Sequence, residues 1–123
     1  GKYPGGQAYT DPIIVSRIGE IYLISAEAQG FPDGCGRLNQ LREMRGLPES
    51  TASTEAELKE AVLQERRLEL IGENLIWYDY IRQGKAVERL GITKTQTLFP
   101  IPEGEIRENP LLKQNPGWGG NEL

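Results

Sequence analysis

Apolar residues recur at helical rather than strand spacing through most of the chain, and four such stretches stand out before Gly91. The first opens on Asp11 and Pro12, an N-cap residue followed by proline in the first turn. It is predicted to run to about Gln29, where Gly30 and Pro32 stop it. At about 100° per residue, Ile14, Ile18, Ile21 and Ala28 share one face with Ser25, and Val15, Tyr22 and Ala26 lie beside them. Glu20, Glu27 and Ser16 take the remaining arc, so this helix is expected to be buried on two sides. A second, shorter helix is predicted from about Arg37 to Arg45, with Leu38, Leu41 and Met44 in register and Gly46 as its stop. The short connection between the two favours an antiparallel hairpin.

Thr54 and Glu57 make a T-x-x-E capping box, which predicts a third helix through Leu58 to about Gly72 or beyond. A fourth apolar and aromatic stretch runs from Leu75 to Arg82 and stops at Gly84. Residues 1–10 are rich in Gly and polar side chains and read as a loop or a cut end. After Gly91, Pro100, Pro102, Pro110 and Pro116 forbid long helices, so residues 91–123 are expected to form an extended tail packed on the helices. The expected fold is all-α, a single domain over residues 1–123 with its helices between 11 and 90 and an irregular Pro-rich C-terminal tail.

Chemistry enters through the third helix. A wheel over residues 58–72 places Leu58, Ala61, Val62, Leu68 and Gly72 on one stripe, with Glu65 and Glu69 in its middle. A core-facing carboxylate needs a cation and hydrogen-bond donors, or else a wet cleft. In the first case Arg17, Arg42, Arg45 or Arg82 reaches in with forked charge-assisted bonds and fixes how the helices meet. In the second, Glu65 and Glu69, or one of them with Asp79, form a glycosidase acid/base pair, which requires carboxyls about 5 to 9.5 Å apart. The structural role is preferred, because a retaining pair needs an open cleft that a core stripe does not offer.

The aromatics carry a similar choice. Trp77, Tyr78 and Tyr80, interleaved with Leu75, Ile76 and Ile81, look like a core helix, and Trp118 beside Pro116 and Gly117 looks like a pin for the tail. Stacking on a sugar face is the competing role, for which Trp118 is the better candidate of the four.

Composition narrows the classes. The 18 acidic and 14 basic residues leave a net charge of -4 with no basic stripe, which argues against nucleic acid and anionic membrane as partners. No run approaches the roughly 18 apolar residues of a transmembrane segment. The chain has no histidine, which removes Ser-His-Asp and Cys-His catalysis, HExxH zinc chemistry and ExxH di-iron sites within it. Cys35, the only cysteine, therefore lacks a histidine base and reads as an incidental thiol. Glu55, Glu57 and Glu60 sit at a helix start, where acids meet the helix dipole, rather than on a calcium-binding loop. No catalytic residue, metal or cofactor is expected.

Five segments together resemble the C-terminal part of SusD/RagB-type proteins: RIGEIYLISAEA (17–28), LNQLREMRGL (38–47), ERRLELIGENLIWYDYIRQG (65–84), FPIP (99–102) and NPLLKQNPGW (109–118). The resemblance implies a fold of TPR-like helical hairpins. It also implies a role as a cell-surface lipoprotein that binds glycans or other nutrients and works with a SusC-like TonB-dependent transporter in the outer membrane, without catalysis. The lipid anchor would be an upstream cysteine not present in this chain, and oligosaccharide contact would fall to the rest of the parent protein. Carried onto this sequence, Glu65, Arg66, Glu69, Asp79 and Arg82 become a structural ion-pair network joining the third and fourth helices to the tail. The family's EG-x-R pattern is replaced here by Glu73, Asn74, Leu75 and Ile76, so one expected arginine is absent and the partner of one carboxylate is left open. A TPR-like protein interaction scaffold is the alternative function, and a small glycosidase the third.

Overall fold

The computed structural model describes residues 15–118, and among these every regular element is helical. The expected start at Asp11 and Pro12 lies outside the described residues. The chain divides between Glu73 and Asn74 into two compact units.

The first unit is built from α1 (Ile18–Gln29), α2 (Gly34–Met44) and α3 (Glu55–Glu69). α1 begins only at Ile18, because Arg17 adopts an extended conformation (φ -123°, ψ 153°) and sends its side chain to the C-terminal end of α3. It ends as expected before Gly30, whose φ of 67° is the left-handed region that glycine enters without steric cost. α2 starts earlier than the sequence predicts, taking in Gly34, Cys35 and Gly36. Glycine is a poor helix former, but Gly34 lies where any Cβ would collide with the Ala26 carbonyl and the Leu58 side chain. Close approach of three helices there outweighs local propensity.

Cross-contacts fix the directions of the helices. The start of α2 meets the end of α1 at Gly34 and Ala26, and Arg45 near the end of α2 reaches Glu69, as does Arg17 at the start of α1. α1 is therefore antiparallel to both α2 and α3. The last two run in the same direction because residues 45–54 return the chain along the full length of α2. That return is braced by Asn39, which accepts from the Ser50 amide (2.8 Å). Its Thr54 hydroxyl then caps α3 by accepting from the Glu57 amide (3.2 Å). The other half of the expected capping box is displaced by one residue, since the Glu57 carboxylate accepts from the amide and hydroxyl of Ser53.

Leu23, Ala26, Leu38, Leu41, Leu58 and Val62 form the core, with Tyr22, Cys35, Ala52 and Ala61 at its edge. Two expected faces need correcting. α1 buries Gly19, Leu23 and Ala26, whereas its isoleucine-rich face is exposed, so burial is on one side. On α3, Leu68 is exposed, and the buried face instead includes Leu63, Glu65 and Arg66.

The second unit holds α4 (Ile76–Arg82), α5 (Ala86–Leu90), a 3-10 turn at Thr95–Thr97 and α6 (Glu103–Glu108). α4 stops at Gly84 (φ 67°), closed by a hydrogen bond that the Lys85 amide donates to the Tyr80 carbonyl (2.8 Å). Within α4 only Asp79 and Tyr80 are buried, and Tyr78 is exposed rather than part of an aromatic core. The Pro-rich stretch contains more helix than an extended tail, since Pro102 immediately precedes α6 and Glu103 and Glu105 occupy its first turn. Elsewhere side chains replace the ladder that prolines deny it. Gln114 accepts from the Ile101 amide (2.7 Å) and donates to its carbonyl (2.8 Å). Asn115 donates to the Phe99 carbonyl (2.7 Å), and Trp118 Nε1 donates to the Leu98 carbonyl (2.9 Å).

Candidate functional site: carboxylates closed by arginines

Glu65 and Glu69 lie one turn apart on α3 and both turn inward. Glu65 is 3% exposed as a residue, and the Glu69 side chain 8%. Each meets arginine. Arg42 of α2 donates through Nη1 to Glu65 Oε2, while its Nε holds the Pro48 carbonyl (2.8 Å), so one guanidinium ties α2, α3 and the return loop.

Glu69 receives two arginines. Arg45 forks onto it, Nε to Oε2 (2.9 Å) and Nη2 to Oε1 (2.7 Å), in the bidentate geometry that suits a planar carboxylate. Arg17 adds Nη1 to Oε1 (2.9 Å) and caps the end of α3 by donating to the Glu69 carbonyl (2.7 Å), where the helix dipole favours a cation. Its Nε and Nη2 also reach Glu73 (3.0 and 2.6 Å). The Arg45 bonds, then those of Arg17, outweigh the cost of burial and hold the Glu69 carboxyl at about 2. Both guanidiniums are raised above their ordinary value, chiefly by Glu73 for Arg17 and by Glu69 for Arg45. The carboxylate left open by the absent family arginine is thus served from α2 and from the residue preceding α1.

Space for this cluster is made by Gly19. A Cβ at that position would run into the Glu69 carboxylate, which would have to shift away from its arginine bonds. Next to it, Glu20 faces Arg66 at 3.8 Å across the same pair of helices. The segment Arg17–Glu20 and the segment Glu65–Glu69, far apart in sequence, therefore interlock. Sequence reasoning missed Gly19, Glu20 and Glu73 here. The available signal was the charge alternation of R-x-G-E against E-R-R-x-E, which a single-helix wheel does not compare.

Asp79 and Arg82 lie in the second unit and pair with each other, Nε and Nη2 both donating to Oδ1 (3.0 and 2.9 Å). Trp118 is 43% exposed, and its indole N–H is committed to Leu98. Trp77 stacks instead on Phe99, with centroids 5.4 Å apart at 38°.

The arrangement suits holding helices together better than proton transfer. A carboxylate near 2 with both oxygens bonded to guanidinium is a poor general acid or base at neutral pH. An open hollow of about 420 Å³ is lined by Ser50, Thr51, Ser53, Glu57, Glu60 and Gln64, and neither Glu65 nor Glu69 borders it. Among the described residues no group of three acidic or thiol side chains is placed to hold a metal ion, and no helix is long and apolar enough to cross a membrane.

The chain is 35% identical over 84% of its length to SusD-like protein P38 of Formosa agariphila, of which the match covers 24%. It is 28% identical over 92% of its length to SusD-like protein P2 and 29% identical over 87% to SusD-like protein P25 of the same organism, covering 27% and 24% of them. The chain thus spans about a quarter of the length of these curated relatives. No solved structure matches. The family model described as "SusD family" matches residues 1–94 and 85–118, which takes in both halves of the arginine and carboxylate cluster, and the chain belongs to that family.

Proposed function

We propose that this chain is a non-catalytic segment of a glycan- or nutrient-binding lipoprotein of the cell surface, one that works with a SusC-like TonB-dependent transporter in the outer membrane. Membership of the SusD family carries the reading. The carboxylate geometry supports the absence of hydrolysis, since the acids best placed for glycoside chemistry are spent on arginine. In this role Glu65, Arg66 and Glu69 brace the helices of the first unit, Asp79 and Arg82 brace the second, and ligand contact belongs to other residues.

The test uses the full-length polypeptide that carries this sequence. Incubated with plant or host polysaccharides, it is expected to retard in a glycan-containing native gel and to release no reducing sugar. Pull-down from solubilised outer membranes is expected to recover a large β-barrel transporter. Reducing sugar that disappears in Glu65→Gln would overturn the binding role, and recovery of soluble partners alone would favour the interaction scaffold.

A further inference from the structure

The open hollow beside α3 lies outside the arginine and carboxylate cluster and has no part in holding the helices together. Its lining comes from two segments. The return loop supplies Ser50, Thr51 and Ser53, and the first half of α3 supplies Glu57, Glu60 and Gln64. Ala52 and Ala61, half-buried against the core, add an apolar patch. Some of the polar groups are already used, since Ser53 bonds to Glu57 and the Ser50 hydroxyl accepts from the Ala52 amide. Two are not. Among the described residues the Thr51 hydroxyl and the Gln64 carboxamide have no protein partner.

That chemistry limits what the hollow takes. A hydroxyl and a carboxamide each donate and accept, which is what a pair of neighbouring sugar hydroxyls needs, while an alanine patch suits the C–H face of a ring. The volume of about 420 Å³ falls within the usual range of small-molecule sites and accommodates one or two pyranose rings. Charge removes one class of sugar. Glu57 and Glu60 line the hollow and no lysine or arginine does, so a uronic acid or a sulfated ring meets like charge without a counter-ion.

We propose that this hollow is a contact site for a neutral sugar ring, with Thr51 and Gln64 bonding its hydroxyls and Glu57 and Glu60 turning acidic sugars away. It rests on the glycan-binding reading above and adds to it a location and a charge preference.

Calorimetric titration of the full-length polypeptide tests it, with neutral glucan, mannan and galactan oligosaccharides and an oligogalacturonate as the acidic probe. The parent is expected to bind at least one neutral oligosaccharide more tightly than the oligogalacturonate. Thr51→Val combined with Gln64→Ala alters two exposed side chains, and circular dichroism checks that the fold is kept. This variant is expected to bind the neutral ligand about 10-fold more weakly, through the loss of two hydrogen bonds. Glu60→Gln is expected to raise affinity for the oligogalacturonate and leave the neutral ligand within about twofold. Unchanged neutral affinity in the folded double variant would overturn the site and leave the glycan role standing. Oligogalacturonate bound by the parent as tightly as any neutral ligand would also overturn it, and a parent that binds none of the four probes would sink the site and the glycan role together.

Discussion

Replacing Glu69 with glutamine isolates the charge at the centre of the cluster while keeping its shape. A carboxyl held at about 2 rather than 4.5 favours the ionised native state by roughly 3 kcal/mol, at about 1.4 kcal/mol per tenfold change in affinity for the proton. The Arg45 side chain is 42% exposed, so screening reduces this to about 2 kcal/mol. The sign follows from a depressed native value: the stabilisation is complete above about 4.5 and is lost as the pH falls toward 2. Glu69→Gln is therefore expected to unfold in urea with about 2 kcal/mol less stability than the parent at pH 7, and with a gap that narrows toward zero by about pH 2. Glu55, held low by the Phe31 amide, and Glu57, held low by the Ser53 amide, also weaken in acid, but they do so in both proteins and cancel in the difference. A gap below about 0.5 kcal/mol at pH 7, or one that stays constant from pH 7 to pH 2, would refute the assignment of Glu69 as an arginine-held strut.

Two glycines of α2 are expected to respond in opposite directions. Gly34→Ala pushes a Cβ into the rigid Ala26 carbonyl and should cost about 1 to 3 kcal/mol in urea unfolding, whereas Gly36→Ala meets nothing within 4 Å and should gain about 0.5 to 1 kcal/mol from helix propensity. Equal effects at both sites would remove the close helix approach from the account. In the second unit, Gln114→Ala deletes both bonds to Ile101 at about 1 kcal/mol each, so the Ile101 amide should exchange with solvent roughly 10-fold faster or more, and unchanged exchange would show that the stretch is held by something else.

What could be read from sequence follows the range over which each interaction acts. The end of α1 and the start of α3 were legible because Gly30 and Thr54 act on their own backbones, and the inward turn of Glu65 and Glu69 was legible because a wheel over one helix shows it. The wheel misplaced the buried face of α3 because it followed the apolar residues alone and left Arg66 off the stripe. In the fold Arg66 is buried and meets Glu20, a residue 46 positions earlier, so the core face rotates away from Leu68 and toward Leu63. The early start of α2 was hidden for a similar reason. Gly34 is disfavoured by propensity and selected by the Ala26 carbonyl, which no local pattern reports.

The same reasoning explains why Arg17, Gly19 and Glu20 behave as a unit with Arg66 and Glu69. An arginine that caps a helix and grips its last carboxylate is usable only if the opposing helix comes close, and Gly19 leaves the carboxylate room to lie there. The approach in turn buries the next acid of α1 and the arginine of α3, which must then face each other. Changing any one member removes a counter-charge or the space that another uses, so the two segments constrain each other. A family signature can therefore be specific in sequence and silent about substrate. Under the proposed binding role, the residues that discriminate among nutrients are to be sought where such mutual constraint is absent, outside the Arg17–Glu20 and Glu65–Glu69 segments.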